Sequence, residues 1–345
     1  MKKYYAEEIQ ENSPFRESYE KSLEEFLKTE KARADKTRFA FFSVEEFLKK
    51  QENYREKFID MLGFPLREKR ETPTLKEKIF VAEDKNIKIY RMQLIFINKI
   101  VFYGLYFEQI ENANGAPFVL ALHGYEGTPE VCASIHKNSS NYNHLVRRLT
   151  DMGANVFVPQ LLMWNKQTYG GEYDREKTDG KLRQLGGSMT ALELYLLRGS
   201  IDYFIEREGV LENAIGVAGL SYGGMYALHL AALDVRVKAC YSCSWVNDVF
   251  EHSRPDWSYF NAQNTFTAAE VGALVCPRTL LVAMGNNDQL FDSRKTESEY
   301  SRIRLFYQQA ACLGNLRIKI FSGLHETDRD NAELEILLKK IKENS

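Results

Sequence analysis

Between Phe118 and Phe321 the chain repeats one pattern: a short apolar run, then a helical stretch, then another short run. The runs are Phe118–Leu122, Asn155–Val158, Ile215–Ala218, Lys238–Ser244, Thr279–Ala283 and Arg317–Phe321. Apolar residues at helical spacing fill the intervals around Asn141–Met152, Thr190–Glu208, Met225–Leu233 and Glu297–Leu313, and again at Ala332–Ile341. Strands that alternate with helices and are apolar throughout belong to a mostly parallel sheet covered on both faces. This predicts an α/β fold. Ahead of it, Ile79–Val81, Ile87–Ile97 and Ile100–Phe107 read as an antiparallel meander.

The first 70 residues differ. They are dense in Lys, Glu and Arg, with Phe15, Tyr19, Leu23, Phe26 and Leu27 at helical spacing. Ser13-Pro14 supplies a helix start, and Ser43-Val44-Glu45-Glu46 has the capping-box pattern ahead of Phe47, Leu48, Phe58 and Leu62. Two units are expected: a helical extension over 1–70, packed on a main domain over 71–345. Length fits this division, since 345 residues suit one large α/β domain with an extension.

Lys and Arg total 46 against 48 Asp and Glu, a net charge of 46 − 48 = −2, which argues against nucleic acid or an anionic membrane as partner. The N-terminus lacks the apolar run of a signal peptide, and no stretch approaches the ~18 apolar residues of a membrane span. Five scattered cysteines in so large a chain read as reduced, and a cytoplasmic location is expected.

Gly219-Leu220-Ser221-Tyr222-Gly223 matches G-x-S-x-G and falls between a predicted strand and a predicted helix, the setting a nucleophile elbow requires. The alternative is a glycine-rich turn with an incidental serine. A nucleophilic serine needs a base. Of six histidines, His325 lies just past the last strand, where sites of open α/β sheets gather. His229 falls inside the helix after the elbow and reads as packed; His136, His144 and His252 read as surface residues. The base needs a carboxylate, and Asp288 follows the strand Thr279–Ala283. Asp292 is its rival, read instead as a helix N-terminal charge. The order Ser221, Asp288, His325 is that of the α/β-hydrolases. Backbone N–H groups of the loop after Leu122 and of Tyr222 are placed to hold an oxyanion, with His123 orienting the loop.

From about Ile79 to the end, the chain resembles the α/β-hydrolases, and within them the dienelactone hydrolase and acetyl xylan esterase-like group. The likeness rests on His123-Gly124-Tyr125, Gly219 to Gly224, Ala231 to Val237, Cys276-Pro277-Arg278 and Gly285 to Asp288, and the lead-in ending Met61-Leu62-Gly63-Phe64-Pro65 is similar as well. The resemblance implies that Tyr125 supplies the second oxyanion N–H. It also implies a serine hydrolase of esters with small acyl groups, O-acetyl groups on carbohydrates among them. Tyr222 stands where such esterases often carry Gln or Met.

Trp257 and Tyr259 are read either as a cap over a substrate pocket or as ordinary packing, and Trp164 is a further candidate substrate contact. The stretch Trp164 to Ser188 reads as a long mobile loop over the site, with Arg175, Lys177, Lys181 and Arg183 read as a solvated face in preference to an anion-binding group. Cys240 and Cys243 share a predicted strand and point to opposite faces, which suits neither a shared metal nor a disulfide. No metal or cofactor is expected. The partner expected is a small ester, with a homo-oligomer left open. Rival readings are a lactonase or peptidase of the same fold, or a non-catalytic binding module.

Overall fold

The computed structural model describes residues 8–111, 113–135, 140–292, 294 and 296–343. Its frame is a nine-stranded sheet in the order β1-β2-β3-β5-β4-β6-β7-β8-β9. The strands are β1 Thr74–Asp84, β2 Ile87–Ile95, β3 Val101–Gln109, β4 Phe118–Leu122, β5 Asn155–Pro159, β6 Ile215–Leu220, β7 Val237–Cys243, β8 Thr279–Gly285 and β9 Leu316–Phe321. β1, β2 and β3 form an antiparallel meander, and β3 meets β5 antiparallel. From β5 across to β9 all neighbours are parallel.

Helices cover both faces: α1 Ser13–Phe41, α2 Phe47–Leu62, α3 Pro129–Cys132, α4 Leu145–Asp151, α5 Lys166–Tyr169, α6 Arg175–Gln184, α7 Met189–Arg207, α8 Tyr222–Leu233, α9 Ala268–Val275, α10 Glu297–Gln309 and α11 Ala332–Lys342. β4 to β8 are buried throughout or nearly so, because helices close both sides. Alternation along each strand divides the core. Phe118, Leu120 and Leu122 join the helices α2, α7 and α8 on one face, while Val119 and Ala121 join α4 and α11 on the other. Cys240 and Cys243 fall into these two separate clusters, so the strand does hold them apart.

Several expectations change. α2 begins at Phe47 rather than at the capping-box sequence, because the Ser43 hydroxyl bonds Glu45 instead of a helix N–H. α2 buries Phe47, Tyr54, Phe58, Ile59 and Leu62, and Arg55 Nε donates to Ala232 O at the carboxyl end of α8. The first half of α1 behaves otherwise: Phe15, Tyr19 and Phe26 are 75, 72 and 57% exposed, so the apolar stripe there has no body beneath it among the described residues. The stretch Trp164 to Ser188 is not one long loop but carries α5 and α6. No described helix is long and apolar enough to cross a membrane.

Candidate active site

Ser221 sits at the end of β6 with φ 59° and ψ −122°, a conformation that costs a non-glycine residue about 1–3 kcal/mol. Two hydrogen bonds and the start of α8 impose it. The Ser221 N–H donates to Cys243 O at 2.9 Å, its carbonyl accepts the Met225 N–H at 2.9 Å, and α8 begins at the next residue. The flanking glycines allow the turn. A Cβ on Gly219 would stand 2.2 Å from Gly223 O, and one on Gly223 would stand 1.9 Å from Leu122 O. The strain thus has a source in the packing of β6, β7 and the β4 end.

Asp288 follows β8 and His325 follows β9, neighbouring parallel strands. Pairing continues past the strand ends: Asn286 N–H donates to Phe321 O at 2.8 Å, and Asn287 N–H donates to Gly323 O at 3.0 Å. That extension brings the two side chains together, with His325 Nδ1 2.9 Å from Asp288 Oδ2 and 3.1 Å from Oδ1. Burial alone would raise the Asp288 pKa. The His325 ring and the N–H groups of Leu290 and Phe291 outweigh it and hold the carboxyl below its ordinary value. With Nδ1 committed to the carboxylate, Nε2 is the nitrogen left to accept a proton. Among the described residues no hydrogen bond yet joins it to the Ser221 hydroxyl.

The loop after β4 lies against the elbow, since a Cβ on Gly124 would be 3.1 Å from Ser221 Cβ. His123 is fully buried behind it. Its Nδ1 lies 2.9 Å from Gly124 O, and its Nε2 accepts the Leu161 N–H at 2.9 Å, which assigns a neutral ring protonated at Nδ1. Burial pushes the His123 pKa down to about 4. The ring therefore shapes the loop and is not a base. Glu126 N–H donates to Met163 O at 2.7 Å and Gly124 N–H to the Tyr142 hydroxyl at 2.7 Å. The N–H groups of Tyr125 and Tyr222 have no acceptor among the described residues, and they flank the serine from β4 and from α8. Tyr142 also ties this loop to the base, because its carbonyl accepts the Thr327 hydroxyl at 2.6 Å, two residues beyond His325.

A run of rings borders the site. Tyr125 and Tyr222 stack at 6.0 Å, Trp257 lies 4.8 Å from Tyr222, Trp245 lies 5.0 Å from Trp257, and Phe291 lies 5.7 Å from His325. Trp257 is thereby brought to the elbow. Tyr259 is not: its hydroxyl donates to Thr190 Oγ1 at 2.9 Å, turned toward α7. Trp164 lines a separate cavity of about 870 Å³ with Tyr103, Gln160, Leu162 and Met189, and no member of the Ser221, Asp288, His325 set borders it. Its indole N–H donates to Gly170 O at 2.7 Å. Asp292 pairs with Arg294 and not with His325. His229 is buried, bonded to Met225 O at 2.8 Å, and burial lowers its pKa to about 4. His136 lies outside the described residues.

Sequence reasoning missed the support behind Tyr222. Arg175 is buried, not solvated: its Nε donates to Asp256 Oδ2 at 2.6 Å and its Nη2 to Glu193 Oε2 at 3.0 Å. Asp256 in turn accepts the Tyr222 hydroxyl at 2.9 and 3.0 Å. Glu193 between the apolar Leu192 and Leu194 of α7 was the available signal, because a buried carboxylate requires a cation. Lys177 and Lys181 are exposed, and Arg183 pairs with Asp179 at 2.5 Å. Trp245 and Phe291, also unnoticed in the sequence, complete the ring border. Among the described residues, no group of three or more His, Cys, Asp or Glu is placed to hold a metal ion.

No protein-family model matches the chain. It is 30% identical over 153 residues to the Bacillus subtilis (strain 168) protein named "Putative hydrolase YtaP", a match covering 41% of this chain. The chain spans about half the length of that curated relative, 50%. Among solved structures, a glucuronoyl esterase from Solibacter usitatus superposes with TM-score 0.63 at 16% identity, over 86% of this chain and 92% of that one. Acetyl xylan esterase 1 from Thermoanaerobacterium sp. JW/SL YS485 superposes with TM-score 0.56 at 16% identity, over 84% of this chain and 93% of that one. Identities at this level speak for the fold, and the sheet order, the elbow and the loop positions agree with it. The chain therefore has the α/β-hydrolase fold.

Proposed function

We propose that the protein is a serine esterase acting on carboxylic esters with small acyl groups. The observation that carries this reading is the Asp288–His325 hydrogen bond, 2.9 Å, formed at the same carboxyl edge of the parallel strands as a serine held at φ 59°. In the reaction, Ser221 Oγ attacks the ester carbonyl carbon and its proton passes to His325 Nε2. The carbonyl oxygen becomes an oxyanion that the Tyr125 and Tyr222 N–H groups hold. Collapse breaks the bond to the alcohol, which leaves with the proton from His325, and Ser221 stays acylated. Water then attacks the acyl carbon with His325 as base, and the acid departs. Asp288 fixes the ring and balances the imidazolium without taking the proton.

Tyr222, Trp257 and Trp245 pack ring against ring beside the elbow. The glucuronoyl and acetyl xylan esterases among the structural neighbours make carbohydrate esters the class to test. The experiment is hydrolysis of p-nitrophenyl acetate, butyrate and octanoate, followed by acetylated xylo-oligosaccharides. Fastest turnover of acetate supports the proposal, and fastest turnover of octanoate overturns its small-acyl part.

A further inference from the structure

Arg254 stands over the oxyanion side of the site on three aromatic rings. Its guanidinium carbon lies 4.8 Å from the Tyr125 ring centroid, 5.7 Å from that of Trp257 and 5.9 Å from that of Tyr222. Cation–π contact orients such a group without neutralising it. Among the described residues Arg254 has no ion pair, and the carboxylate whose charge acts on it most, Asp256, is already engaged. Asp256 is buried and accepts from Arg175 Nε and the Tyr222 hydroxyl. A planar, permanently charged fork is thus held half-exposed beside Tyr125, with no ion-paired carboxylate among the described residues.

We propose that Arg254 binds a carboxylate on the alcohol portion of the substrate, so that the site prefers esters of acidic alcohols, an acidic sugar among them. The alcohol side is assigned because the alcohol is the portion that leaves to solvent, and Arg254 rests on the Tyr125 ring, which is 51% exposed. This inference rests on the esterase reading above. The guanidinium matches a carboxylate with two parallel N–H···O bonds, a geometry that a lysine ammonium does not reproduce. Arg254 acts here as a specificity determinant, separate from the groups that move the proton.

The test compares two acetyl esters of one shape, 4-acetoxybenzoate and the neutral 4-acetoxybenzamide, on the wild type, Arg254→Gln and Arg254→Lys. Arg254→Gln is expected to raise KM for the benzoate about tenfold or more with kcat little changed, and to leave the benzamide ester unaffected. Arg254→Lys is expected to recover part of the loss. Equal changes on both esters would overturn the proposal and make Arg254 a prop for the rings or a counter-charge to the Glu193–Arg175–Asp256 cluster. No change on either would overturn it as well. Binding of benzoate against benzamide, followed by tryptophan fluorescence, separates this idea from the esterase reading. If neither ester is cleaved yet benzoate binds and Arg254→Gln abolishes that binding, the carboxylate site stands and the esterase reading fails. If both esters are cleaved without discrimination, the reverse holds.

Discussion

The Tyr222 phenol donates to both carboxylate oxygens of Asp256, at 2.9 and 3.0 Å, so the residue that follows the elbow serine is fixed at both ends. Its backbone belongs to the first turn of α8, and its ring is anchored to a carboxylate that Arg175 holds in the interior. Burial first and Asp256 second raise the phenol's pKa, so the hydroxyl remains a donor across the working pH range. Substituting Tyr222→Phe removes one hydrogen bond to a buried charged group, a loss of about 1–3 kcal/mol of stability. In the proposed mechanism the oxyanion donor is the backbone N–H, so kcat should fall less than about tenfold. Urea unfolding and steady-state kinetics on the variant check both numbers. A fall in kcat of more than about a hundredfold, without unfolding, would place the hydroxyl in the chemistry itself.

In the proposed mechanism Asp288 acts through His325, so its substitution should separate binding from turnover. Asp288→Asn keeps an acceptor for the Leu290 and Phe291 N–H groups, 2.9 and 3.1 Å away in the wild type, so the loop should persist. The amide cannot hold the ring as the carboxylate does or balance an imidazolium. A drop in kcat of about 10³–10⁴-fold with KM within a few-fold is expected. Wild-type kcat in this variant would remove Asp288 from the mechanism.

Two buried neutral histidines set an acid limit on stability. His123 and His229 both have pKa values near 4 in the folded chain, lowered by burial, against an ordinary 6.5. Between those values the unfolded chain binds more protons than the folded one. Their contribution is therefore complete above pH ~6.5 and is lost progressively as the pH falls toward 4. The urea midpoint should drop between pH 7 and pH 5, and His229→Gln should flatten that dependence. An equally steep dependence in the variant would assign the acid sensitivity to other groups.

Much of this fold can be read from residue patterns because buried parallel strands are nearly uninterrupted apolar runs. Ile215–Ala218 and Thr279–Ala283 each fall inside the observed β6 and β8. The positions of Ser221, Asp288 and His325 follow from the ends of β6, β8 and β9, which they trail by one, three and four residues, too few to travel far from where the strand emerges. What pairing at long range decides was less accessible. Arg175 resembles a surface charge until Asp256, 81 residues later, and Glu193, 18 residues later, close on it. Tyr259 carries the same aromatic signature as Trp257, yet only the path of the segment after β7 turns one hydroxyl to Thr190 and the other ring to Tyr222. α9 announces itself by a Thr267–Glu270 capping box that went unused among the apolar residues around it. The exposed stripe of α1 is the opposite case, a helical period that tells of a helix but not of what lies beside it.

The account turns on Ser221 as nucleophile, and the most direct measurement is p-nitrophenyl acetate hydrolysis by the wild type and Ser221→Ala, with mass spectrometry after exposure to a fluorophosphonate. The wild type should turn over and gain one phosphonyl group on the peptide bearing Ser221. Ser221→Ala should remain folded, gain none, and lose at least about 10³-fold in kcat. Near-full activity in Ser221→Ala, or a label on another residue, would contradict the account.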